Sequence, residues 1–111
     1  MPFKKMDPTW KEKWVNALLS DEYEQGQYTL HTYSAYRDGD SYCCLGVLAD
    51  LLVKEDQADW DSEELDGKDI LPTRILKKVG ITPSTQSKLA KMNDDEGLDF
   101  PAISDFIKES L

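Results

Sequence analysis

The feature that most constrains this chain is residues 41–53, S-Y-C-C-L-G-V-L-A-D-L-L-V, the only long apolar run in 111 residues. A chain of that length is expected to form a single domain, residues 1–111, around one core. The run therefore marks where that core lies. It is apolar nearly all round, so periodicity alone fits a buried strand or a buried helix. Its length and its Leu and Ala content select a central helix over residues 44–54, although Gly46 opposes a helix by roughly 1 kcal/mol. Gly46 is then expected to admit a close neighbour, the face that carries Trp10 and Trp14.

Elements on either side of the run follow from local signals. Asp7-Pro8 supplies a cap and a first-turn proline. Trp10, Trp14, Ala17 and Leu18 form one stripe, which predicts a helix over residues 8–19. Residues 20–27 are polar and read as a loop. Tyr28 to Tyr36 reads as a strand, and Asp38-Gly39 as a two-residue hairpin turn. The return strand is then short, residues 41–43, giving a hairpin over 28–43. Residues 55–69 form an acidic connection with Trp60 and Leu65 as its large apolar residues. Three helices follow, over 72–79, 83–93 and 100–110, with Gly80 as a C-cap between the first two. The fold class is α+β, mostly helical: about five helices around a central apolar one, with one small antiparallel hairpin. The expected core includes Trp10, Trp14, Leu45, Leu48, Ile75, Leu89, Ile103 and Phe106.

Charge divides the functional readings. The net charge is -9. Solubility or a salty habitat explains such a balance, and so does mimicry of a polyanion such as DNA. Residues 55–69 carry eight acids (Glu55, Asp56, Asp59, Asp61, Glu63, Glu64, Asp66 and Asp69) against one lysine. Residues 70–93 carry Arg74, Lys77, Lys78, Lys88 and Lys91 and no acid. An acidic loop lying over a basic helical face would balance the two internally.

Few residues invite chemistry. His31 is the single histidine, and Cys43 and Cys44 are the only cysteines. A Cys–His pair can generate a thiolate nucleophile. Burial in an apolar run instead makes a thiol inert, so the cysteines read as small core residues and a thiol enzyme is the less favoured alternative. Adjacent cysteines do not build a disulfide framework, and a reducing compartment suits them. Two Cys and one His fall short of a zinc set. Neither residues 59–63 nor 93–97 continue as a calcium loop, and no nucleotide-binding fingerprint is present. No catalytic residue, metal site or cofactor is assigned. The N-terminus lacks the apolar stretch of a signal peptide, and no segment is long enough to span a membrane, so the expected location is the cytoplasm.

Residues 72–89 resemble the helix-turn-helix of DNA-binding repressors. Gly80 and the apolar Ile75, Val79, Ile81 and Leu89 sit where that motif wants them. Residues 84–88 would be the reading face, and Arg74, Lys77, Lys78, Lys88 and Lys91 the nucleic-acid contacts. Leu76 and Gln86 depart from the pattern, and the net acidity opposes it.

A second resemblance rests on Y-C-C-L-G-V-L-A-D-L at residues 42–51. The motif is similar to one in a group of small uncharacterised proteins encoded mainly by bacteriophages. The Trp10–Leu19 helix, the hairpin after it, Leu71-Pro72, and Leu89, Met92, Asn93, Asp94, Phe100 and Ile103 match further features of that group, with Met92 in place of a leucine. The resemblance implies a phage-type accessory protein in the host cytoplasm and carries over no catalytic residues. The expected activity is binding of a protein partner, with nucleic acid less favoured and no membrane.

Overall fold

A computed structural model of the chain describes residues 5–34 and 39–111. Five helices and three strands occur among them: α1 (Pro8–Leu19), β1 (Glu24–Gln25), β2 (His31–Ser34), β3 (Gly39–Tyr42), α2 (Cys44–Lys54), α3 (Thr73–Val79), α4 (Pro83–Asp94) and α5 (Phe100–Ser110). The class is α+β, mostly helical, as the sequence predicts.

Three of the helices, α1, α4 and α5, begin at a side-chain cap. Asp7 Oδ1 accepts from the N–H groups of Thr9 and Trp10 at 2.9 and 3.1 Å, satisfying donors that the first turn leaves free. Thr82 caps α4 through Thr85 N–H, and Asp99 caps α5 through Ala102 N–H. Gly80 ends α3 with φ +84, and it and Ile81 donate to the Leu76 carbonyl. The left-handed conformation suits glycine there.

α2 is central. It packs on α1 and α4, and α5 closes on α1 and α4. Cys44 to Ala49 and Leu52 are all buried. Burying Leu45, Leu48 and Leu52 contributes roughly 1.5–3 kcal/mol each. Trp14, fully enclosed, donates its indole N–H to the Cys44 carbonyl at 2.9 Å. Of the expected core residues, Phe106 alone is only half-buried.

The sheet departs from the expected hairpin in three ways. It is mixed, in the order β1-β3-β2, with β1 parallel and β2 antiparallel to β3. β1 lies in the segment expected to be a loop, because two residues carry no alternation to read. Gly39 lies within β3 opposite Ser34, so the hairpin does not turn at Asp38-Gly39, and the return strand starts before Ser41. Arg37 and Asp38 lie outside the described residues, as does the end of the expected first strand.

The neighbour of Gly46 also differs from expectation. A Cβ on Gly46 would lie 1.7 Å from the Leu30 carbonyl oxygen. The close partner is thus the backbone just before β2, not the tryptophans of α1. This contact seats the sheet on α2. Helix propensity alone would make Gly46→Ala stabilising by about 1 kcal/mol. We expect the opposite sign, a loss of roughly 3 kcal/mol in urea denaturation, because a backbone carbonyl must move.

Candidate functional site

The sheet has two faces, and each meets a different set of side chains. Side chains alternate along a strand. His31 and Tyr33 therefore share a face with their register partners Tyr42 and Asp40, while Thr32 and Ser41 point the other way.

Thr32 and Ser41 line a polar cleft of about 500 Å³ with Gln25, Gln27, Tyr28 and Asn93 among its walls. Its amides hold the fold together. Asn93, fully buried, accepts at Oδ1 from Cys44 N–H (3.1 Å) and Gln25 Nε2 (2.9 Å). Its Nδ2 donates to the Gly26 carbonyl (2.9 Å) and Asp94 Oδ1 (2.8 Å). Gln25 also donates to the Leu98 carbonyl and accepts from Phe100 N–H. These bonds fix β1 beside β3 and cap α2 at Cys44, where the preceding Cys43 side chain makes no cap bond. Leaving several buried partners unmet costs about 1–3 kcal/mol each. Asn93→Ala should therefore lower stability by about 3 kcal/mol in thermal or denaturant unfolding.

His31, Tyr33, Asp40 and Tyr42 form the other face, which carries a surface cluster of aromatic rings. Tyr42 lies 5.1 Å from Tyr23 in an edge-on contact and 5.0 Å from the His31 ring. Trp60 lies 5.2 Å from His31 and 6.1 Å from Tyr42, between ring centroids. Asp50 anchors the cluster from α2. It accepts from the Tyr23 hydroxyl at 2.7 Å and from the Trp60 indole at 3.0 Å. Lys54, one turn on, donates to the Tyr23 hydroxyl at 3.1 Å and lies over its ring. Burial, then the Asp50 carboxylate, pushes the Tyr23 phenol well above its ordinary range. Burial, then the nearby Asp50 and Asp40, pushes Tyr42 up to about 12. Both phenols therefore stay protonated at ordinary pH, and Tyr23 donates to Asp50. His31 Nε2 meets Asp40 Oδ1 at 2.8 Å, and Tyr33 projects with 67 % of its surface exposed.

Sequence reasoning missed both organising residues, although each left a signal. Asp50 is the only acid in residues 41–53. Asn93 is a polar residue at the end of an inward stripe, beside Met92.

The cysteines do not join His31. Cys44 Sγ lies 3.6 Å from the Leu89 carbonyl, deep in the core. Burial pushes the Cys43 thiol from its ordinary 9.0 up to about 11, and Cys44 well up too. Among the described residues no group of His, Cys, Asp and Glu is arranged to hold a metal ion.

The residues expected to touch nucleic acid are spread over α3 and α4. Arg74 grips Glu64 with two bonds, at 3.1 and 2.8 Å, and reaches the Gln57 carbonyl. This is one direct link between the acidic connection and the basic helices. Lys88 lies 3.8 Å from Glu96. Lys77, Lys78 and Lys91 are exposed and make no ion pair among the described residues. Thr85 and Gln86, expected on the reading face, are buried. Gln86 Oε1 accepts from Leu71 N–H at 2.7 Å, which explains an amide where a helix-turn-helix has an apolar residue. The Gly80 turn is covered by residues 6 and 7, with Asp7 N–H donating to the Val79 carbonyl.

The raised thiols set a pH dependence. Between about pH 9 and about pH 11 the unfolded thiolates form while the native Cys43 thiol stays protonated, so stability should fall as pH rises through that window. Below it, both thiols should resist a thiol reagent until the chain is unfolded, which a colorimetric thiol assay with and without denaturant will read.

No curated protein and no solved structure matches the chain. Residues 6–72 match the sequence pattern of one family. The match spans α1, the sheet, α2 and the acidic connection, and so contains every ring of the aromatic cluster. No helix among the described residues is long and apolar enough to cross a membrane. With more than half of its length covered by that match, the chain belongs to the family described as a domain of unknown function, DUF8296.

Proposed function

We propose that this chain is a non-enzymatic accessory protein of phage type that binds another protein in the host cytoplasm, and that the aromatic face is where it binds. The observation that carries this reading is the ring cluster of Tyr23, His31, Tyr42 and Trp60, fixed from below by Asp50, with Tyr33 standing out beside it. Tyrosine and tryptophan dominate the energetic centres of protein interfaces. Rings already held by neighbours lose little side-chain entropy on binding, so contact area converts to affinity with less loss. The burial of Cys43 and Cys44 supports binding over a thiol reaction. The family assignment supplies no activity that competes with this reading.

The test is capture from a host lysate with matched variants. A protein retained by the unaltered chain should be weakened about tenfold or more by Tyr33→Ala, a substitution at an exposed position that leaves the core untouched. Lys77→Glu with Lys78→Glu should leave capture unchanged. If that pair abolishes binding and Tyr33→Ala does not, and duplex DNA shows a salt-sensitive shift, the basic helices are the interface and the aromatic face is not.

A further inference from the structure

β2 is an edge strand, since the order β1-β3-β2 gives it one strand neighbour. Which of its backbone groups face outward follows from the ladder. The Tyr42 carbonyl accepts from Gly26 N–H at 2.8 Å, so Tyr42 turns its backbone toward the β1 side. Successive residues of a strand turn opposite ways. Ser41 therefore turns to β2 and pairs with Thr32, its register partner. His31 and Tyr33 are left directing their own N–H and C=O groups out of the sheet.

Proteins guard such edges with lysine, proline, a bulge or a covering segment. H-T-Y-S at residues 31–34 has neither lysine nor proline. The acidic connection bonds the chain just before the strand, where Leu30 N–H donates to the Lys68 carbonyl at 2.9 Å, and its Trp60 lies against the His31 ring on one face. Beyond Leu30, β3 is the only strand paired with β2 among the described residues.

Acids outnumber cations around this edge, where Lys68 bonds Leu30 and Lys54 joins the aromatic cluster. Asp40, half exposed, sits across from Tyr33 on the aromatic face. The Leu30–Lys68 bond sets the acidic connection beside the strand, with Asp61, Glu63, Asp66 and Asp69 exposed. Lys68 is the only cation in residues 55–69. An incoming strand would place alternate side chains over the aromatic face, where a cation meets ring faces and a carboxylate together.

Resting on the protein-binding reading above, we propose that an extended basic segment of the partner adds to β2 as a fourth strand, with Arg or Lys at alternate positions against Tyr33 and Asp40. Main-chain bonds to His31 and Tyr33 would give affinity, and the acids would select a cationic sequence. A second copy of this chain is the poorer occupant. It would bring its own charge of -9 and its own acidic connection against the same acids.

The probe is a short fluorescent peptide alternating Arg with Val, compared with the same peptide carrying Glu for Arg. At low salt the Arg peptide should bind at least about tenfold tighter by anisotropy. At saturation the His31 and Tyr33 amide protons should gain hydrogen-exchange protection. Tyr33→Pro removes the outward N–H and leaves the bonds to β3 in place. It should weaken binding about tenfold beyond Tyr33→Ala, with circular dichroism checking its fold. If that variant does not fold, exchange in the unaltered chain decides. Binding of the Arg peptide without protection at His31 and Tyr33 overturns strand addition and leaves the protein-binding reading standing. Equal affinity for the two peptides, no binding at millimolar peptide, or self-association of the chain through β2 in sedimentation also overturns the proposal.

Discussion

The architecture depends on one buried amide. Asn93 offers two donors and an acceptor oxygen, and all are used: Cys44 N–H, Gln25 Nε2, the Gly26 carbonyl and Asp94 Oδ1. A buried polar group is tolerated when fully satisfied and is expensive otherwise. Here that requirement links three separate parts of the chain, residues 25–26, 44 and 93–94. It caps the central helix, holds β1 in register beside β3, and fixes the end of α4. Through Gln25 the same network reaches the start of α5. The contact of Leu30 with Gly46 completes the attachment of the sheet to α2 from the other side.

With the sheet held in this way, Asp50 can build the exposed face. It is the one charged residue in the apolar run, and its side chain stays mostly covered because Tyr23, Trp60 and Lys54 surround it. A carboxylate that accepts two ring-borne donors orients both rings without needing a deep core beneath them. The motif around residues 42–51 is thus accounted for by packing and positioning. Cys43 and Cys44 fill the start of the helix, Gly46 admits the sheet, and Asp50 arranges the aromatic cluster. The surface so built is acidic as well as aromatic, a combination that favours a cationic partner through both Coulomb attraction and ring faces.

The helices were legible because their signals are local. Asp7-Pro8, Thr82-Pro83, Asp99-Phe100-Pro101 and Gly80 act within one turn of themselves, and the Trp10, Trp14, Leu18 stripe states which side is inward. The sheet was less legible. β1 is two residues long and is held by Gln25 contacts far away in sequence. The position of the hairpin turn follows from the register of β2 on β3, and Asp38-Gly39 misled because a favourable turn pair does not outweigh that register. The helix-turn-helix likeness arose from Gly80 and its apolar neighbours, which any tight helical pair needs. Gln86 turned inward to Leu71 for a reason invisible in a single stretch of sequence.

By itself, then, the sequence determined the helical framework, the identity of the central helix and the burial of its cysteines, because propensity, capping and apolar content are properties of neighbours along the chain. The tertiary structure decided that Asn93 and Asp50 are the organising polar residues, that Leu30 is the partner of Gly46, and that His31, Tyr42 and Trp60 meet at one surface. Those outcomes depend on hydrogen-bond saturation and ring contact between residues up to 68 positions apart in the case of Gln25 and Asn93, which no local pattern encodes.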